Sequence, residues 1–141
     1  MPSLPASSGV TVTVSSQPDV VVLRRYVLAL LIDVGEESRQ HAARVVTVFT
    51  EVALAAGAVP VLVHLERTGH GTCLRIEMDN PHPLPLTVSP EDQRVLDQLT
   101  TGHGVSHRPD GALIWAEVAL HPLDARTRTW RAEKPEPPER P

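Results

Sequence analysis

Four prolines crowd into the stretch NPHPLPLTVSP, residues 80–90. Each proline fixes φ near −65° and lacks a backbone N–H, so this stretch can be neither a helix interior nor a central strand. It must be a loop, and everything else in the chain is arranged around it. On its N-terminal side, Val59 to Glu66 alternates, ArgThrGlyHisGlyThr (67–72) turns, and Cys73 to Asp79 alternates again, which predicts a hairpin. On its C-terminal side, Ser89-Pro90-Glu91-Asp92 supplies an N-cap serine, a first-turn proline and early acids. That predicts a short helix to about Thr100, with Leu96 and Leu99 on its inward face.

The remaining elements follow from the same rules. Val10 to Val14 (VTVTV) favours a strand, read as an edge strand. Residues 18–34 read as helix, with Pro18 in its first turn and Val21, Val22, Arg25, Tyr26, Ala29 and Leu30 near helical spacing. The three consecutive valines 20–22 could instead prolong an extended segment. Gly35 reads as a C-cap, and a second helix begins with acids that suit the positive end of the helix dipole. Its core stripe is Ala42, Val45, Phe49, Val52 and Ala56, and Gly57 stops it. Val105 to His107 and Ala112 to Ala119 flank Arg108-Pro109-Asp110-Gly111, whose Pro-Asp-Gly signals a second hairpin. The order strand, helix, helix, hairpin, loop, helix, hairpin predicts an α+β two-layer sandwich, with helices on one face of a mixed, mainly antiparallel sheet. The domain spans 10–121. Residues 1–9 are expected to be disordered, and 122–141, proline-rich and charged, to form a mobile tail.

Composition narrows the function classes. A chain of 141 residues suits one domain with a real core. Its 13 Lys plus Arg against 17 Asp plus Glu leave no cationic excess for phosphates. With one Phe, one Tyr and two Trp, platforms for stacking bases are also scarce. Nucleic-acid binding is disfavoured. The single Cys73 cannot form an internal disulfide and suits a reducing cytoplasm. The opening residues do not read as a signal peptide, and the longest apolar run, Tyr26 to Ile32, is too short to cross a bilayer. A cytoplasmic protein is expected.

Few residues carry obvious chemistry. Glu51 stands alone in VFTEVALAAGAVPVLVHL (48–65), either as a solvated face residue or as a base beside a pocket. His103 and His107, four apart, share a face on a strand as on a helix, but no third metal ligand is near in sequence. His70 and Cys73 belong to another loop. Gly69-His70-Gly71 and Gly102-His103-Gly104 lead into strands rather than helices, so they read as turn chemistry and not as phosphate cradles. No serine sits in a G-x-S-x-G elbow.

Taken together, LRRYVLALLIDVG (23–35), the helix carrying Glu51 and ending in Ala-Gly before PVLVHL, CLRIEMDNP, and VLDQLTTGHGVSHRPDGALIWAEV (95–118) resemble actinobacterial histidine-kinase-like ATPase domains. Within that group the similarity is to the small RsbW-like anti-sigma-factor serine kinases, over about residues 10–119. The resemblance implies that Glu51 aligns with the glutamate that polarises attack on the γ-phosphate of ATP. The Mg²⁺-ligating asparagine four residues later is then replaced by Ala55, which has no oxygen for a hard cation. Sliding the alignment to the Ala-Gly end puts Glu51 on the asparagine position and Thr47 on the glutamate position. Asp79 and Asn80 fall at the adenine-binding motif, where Pro81-His82-Pro83 replaces flexible glycines. The glycine lid is replaced by ThrValSerProGluAspGlnArg (87–94), which has no glycine and carries two acids.

All three nucleotide motifs are therefore altered. The resemblance implies a degenerate, anti-sigma-factor-like regulator in bacterial transcriptional or developmental control, with no cofactor and no catalytic residue, acting by protein contact. Its partner would be a sigma factor or that factor's antagonist, and self-association would run through the first strand and helix. The alternatives are an active ATP- and magnesium-dependent protein serine kinase using Glu51, with Asp79 and Asn80 binding ATP, and a small-ligand sensor using the emptied pocket.

Overall fold

A computed structural model describes residues 9–81 and 86–123. The expectations for residues 1–8, for His82 and Pro83, and for the tail from residue 124 fall outside the described residues. Eight elements follow in order: β1 (Val10–Val14), α1 (Gln17–Leu30), α2 (Glu36–Ala55), β2 (Val61–Thr68), β3 (Cys73–Asn80), α3 (Pro90–Leu99), β4 (Gly102–Arg108) and β5 (Gly111–Ala119). The strands form one five-stranded sheet in the order β1-β2-β3-β5-β4. Every pairing in it is antiparallel, which corrects the expectation of a mixed sheet.

Strand parity makes the core. In β1 the valines turn toward the helices while Thr11 and Thr13 are exposed. The register then lines up Val12, Val63, Met78, Ile114 and Val105 across all five strands on that same face. Val63, Leu65, Leu74, Ile76 and Met78 are fully buried. Each such aliphatic side chain contributes about 1.5–3 kcal/mol relative to exposure, so this row, and not any surface pair, holds sheet to helices. The other face of the sheet is open and polar: Arg75 reaches Glu77 and Glu117 at 2.7 and 2.8 Å and stacks over Trp115, 4.8 Å from the ring centroid. Those carboxylates, Glu77 first, push the Arg75 guanidinium above its ordinary pKa against the opposing effect of desolvation.

The helices depart from the sequence reading where tertiary contacts claim backbone groups. The first helix ends at Leu30 and not at residue 34. Arg67, reaching over from β2, takes the Leu30 carbonyl at 3.4 Å and the Asp33 carboxylate at 2.8 Å, and Val34 pairs with Pro122. Gly35 accordingly opens α2 as its N-cap, its N–H donating to the His121 carbonyl at 2.8 Å, and does not close α1. The chain runs on against the body through Pro122, with Leu120 buried and the His121 N–H donating to Ser38 Oγ.

The apolar phase of α1 is also corrected. Val20, Leu23 and Val27 are buried, whereas Val21, Val22 and Tyr26 are 49%, 45% and 47% exposed. Three consecutive valines cannot all face inward on a helix, and the sheet selects the first. On α2 the buried surface is wider than one stripe, because α1 packs against one flank and α3 against the other. Ala42, Val45, Phe49 and Val52 are core as expected, but Ala56 is exposed beyond the helix end. Gly57, at φ +70°, terminates the helix in the left-handed region. Ser89 caps α3 by accepting from the Asp92 N–H at 3.1 Å; Leu96 is buried and Leu99 half-buried.

Candidate functional site

A cavity of about 390 Å³ opens between α2, α3 and the β4–β5 end of the sheet. Its walls follow from periodicity. Val48, Phe49 and Val52 lie on one face of α2, Leu96 comes from α3, and Ile114 from β5. Leu86 and Val88, on the C-terminal side of the proline-rich loop, close one side. Loop residues seldom reach inward without a reason, and here alternate positions 86 and 88 are half-buried while Thr87 and Ser89 are exposed.

Polar groups enter from β4 and α3. Strand parity puts His103, Val105 and His107 on the helix-facing side, and both histidines border the cavity. His103 Nε2 lies 2.8 Å from Asp97 Oδ1 on α3, and Gln93 donates to the same carboxylate at 3.3 Å. The His103 hydrogen bond, with Gln93 adding to it, holds the Asp97 carboxyl below its ordinary pKa. Arg108, at the end of β4, also borders the cavity and is ion-paired with Asp79.

Glycines 102 and 104 lie inside β4, which corrects their reading as turn residues. The reason is Trp115, paired directly opposite Gly104. Its indole lies across β4, so close that a Cβ on Gly104 would stand 3.0 Å from Nε1. The other hairpin glycines do form a turn: Gly69, His70 and Gly71 all have positive φ.

The sequence-predicted residues are not gathered at this cavity. Glu51 is exposed on α2 and is not among the lining residues. Thr47, the alternative in the shifted register, donates its hydroxyl to the Ala43 carbonyl at 2.8 Å. Asp79 and Asn80, adjacent in sequence, separate by strand parity. Asp79 faces the open side of the sheet with Arg108, and Asn80 is fully buried at the end of β3. His103 and His107 are brought to one cavity, but among the described residues no group of three or more His, Cys, Asp or Glu is placed to hold a metal ion.

Gln93, Asp97 and Arg108 had no signal of their own in the sequence. Gln93 and Asp97 were legible only as polar residues of a short helix, and Arg108 as a turn residue. Among the described residues no helix is long and apolar enough to cross a membrane. No family model matches this chain, and a search among curated proteins finds no match.

Proposed function

We propose that this protein is a regulatory binding module on the histidine-kinase-like ATPase architecture, of the anti-sigma-factor type, that acts by protein contact and not by phosphoryl transfer. One observation carries the reading. The cavity between α2, α3 and the sheet, where such a domain would seat a nucleotide, is walled by Val48, Phe49, Val52, Leu96 and Ile114, while Glu51 and Asp79 lie off it. Phosphoryl transfer is catalysed almost entirely by positioning and by electrostatic stabilisation of the transferring group. A carboxylate directed to solvent and another neutralised by Arg108 supply neither.

The protein-contact half of the reading is supported by α1, whose outer face exposes Val21, Val22 and Tyr26, each by nearly half of its surface. Those residues add nothing to the core and form an apolar patch beside the edge strand β1. The partner, a sigma factor or its antagonist, or a second copy of this chain, would cover it. No cofactor is required for that role.

Isothermal calorimetry with Mg-ATP tests the reading, and no saturable heat is expected. A micromolar dissociation constant that depends on Mg²⁺ and disappears in Glu51→Ala or Asp79→Ala would overturn it in favour of an ATP-dependent serine kinase.

A further inference from the structure

We propose that the cavity binds a small, uncharged, largely apolar molecule, one ring or a short branched chain. The inference rests on the reading that a nucleotide does not occupy this space. Five segments supply apolar walls: Phe49 and Val52 from α2, Val88 from the loop, Leu96 from α3, Val105 from β4 and Ile114 from β5. Val105 and Ile114 pair directly on the helix side of the sheet, yet Val105 stays 49% exposed, so the helices leave apolar sheet surface uncovered at this place. Size limits what can cover it. At about 30 Å³ for each water-sized unit, a cavity of about 390 Å³ holds roughly a dozen non-hydrogen atoms, far fewer than a nucleoside triphosphate has.

The polar groups around the cavity exclude a charged occupant. Arg108 has the strand parity of Gly102 and Gly104, and Asp79 holds its guanidinium on the open face of the sheet, away from the cavity. Gln93 and His103 are committed to Asp97, at 3.3 and 2.8 Å. Of the polar side chains in the lining, only His107, at the rim, makes no hydrogen bond among the described residues. A well-held internal water needs two to four polar partners, and these side chains offer one. An apolar body that displaces such loosely held water gains affinity, whereas an ion would give up its hydration with no counter-charge in return. The ligand chemistry follows: an apolar body, no charge, and at most one hydroxyl for the His107 imidazole.

The probe pair is 3-phenylpropan-1-ol and the anion 3-phenylpropanoate, titrated into the full chain and followed by ¹H–¹⁵N NMR. For the alcohol, saturable shifts are expected at Val52, Val105 and Ile114 with a dissociation constant below about 1 mM. The acid is expected to bind at least about tenfold more weakly, because its carboxylate would be desolvated unpaired. Arg108→Gln is expected to leave the alcohol's affinity unchanged, since that guanidinium lies on the other face. Val105→Asp, at an exposed position outside the core, puts a carboxylate on the wall and is expected to weaken the alcohol at least about tenfold with an unchanged melting temperature. Ala112→Leu, which places a larger side chain in the cavity lining, is expected to block it by volume alone.

Acid binding as tight as the alcohol's, in the unsubstituted protein, would overturn the proposal. So would the lack of saturable shifts up to about 5 mM, an affinity too weak to be specific, whether another part of the chain or a protein partner covers the cavity. Shifts that saturate but survive both Val105→Asp and Ala112→Leu would overturn it as well, because they would place the alcohol elsewhere. Displacement of the alcohol by Mg-ATP would instead overturn the reading under Proposed function, and binding of the alcohol in that same titration would still support this one.

Discussion

Asp79 and Arg108 are joined across the open face of the sheet, from β3 to β4 over the intervening β5. Strand parity puts both side chains on the face opposite the cavity, so the carboxylate placed by resemblance on a base-binding motif instead neutralises a cation. Asn80, one residue on, points to the other face and is buried. A one-residue step on a strand exchanges the two faces of the sheet, and here it exchanges which group can meet a ligand.

Glu51 gives the simplest test of a solvated role. It is exposed, and among the described residues no hydrogen bond or ion pair assigns it to a partner. Glu51→Gln is therefore expected to change unfolding free energy by no more than about 0.5 kcal/mol, as for ordinary surface substitutions. Urea denaturation measures this directly. A loss of several times that amount would mean that the carboxylate is structural.

The His103–Asp97 pair predicts an acid-side effect. The Asp97 carboxyl is held below its ordinary value chiefly by the hydrogen bond to His103. A depressed folded-state value contributes stability above the unfolded-state value, and that contribution is lost as pH falls through the folded-state value. ¹³C-detected titration of Asp97 should give a midpoint below the usual aspartate range, and His103→Ala should return it upward. Because the carboxylate is exposed, added salt should shrink the difference. An unmoved midpoint in the alanine variant would disprove the pairing.

Gly104 and Gly102 should respond oppositely to alanine. A Cβ at position 104 meets the indole of Trp115 at 3.0–3.2 Å, whereas one at 102 meets it at an ordinary 3.6 Å. Gly104→Ala must displace the ring and its stacking under Arg75, at a cost of about 1–3 kcal/mol as for overpacking. Gly102→Ala gains from a stiffer strand, by about 0.5–1 kcal/mol. Thermal melts with tryptophan fluorescence distinguish them, and equal destabilisation would count against the close approach of Trp115.

Association through β1 and α1 is best tested on the helix. Val12 is half-buried and packs against the core, so a lysine there would damage the fold itself. Val22 is 45% exposed and outside the core. Light scattering on the native chain at about 50 µM is expected to give a dimer mass, since a weak dimer is populated only by mass action, and Val22→Asp a monomer with an unchanged melting temperature. A monomer mass for both would end the homodimer proposal.

The chain's punctuation was legible without coordinates. Residues 86–89 had to lie outside helix and strand, Gly57 had to end a helix, and Ser89-Pro90 had to start one, because each of these signals limits its own backbone or satisfies a neighbouring N–H locally. The alternation in residues 61–80 likewise fixed which side chains share a face. The sequence did not determine which face would meet the helices, so it left Asp79 and Asn80 as one motif and the three valines 20–22 as equivalents. Packing decided both: the sheet accepted Val20, Leu23 and Val27 and left Val21 and Val22 in solvent. Nor could local pattern show that Arg67 would take the carbonyl of Leu30, 37 residues away, and end α1 early, or that Trp115 would need a glycine opposite it, at position 104, inside a strand. The cavity belongs to this second class. Its lining comes from α2, a loop, α3, β4 and β5, and residues so far apart in sequence acquire a common environment only when the sheet closes beneath the helices.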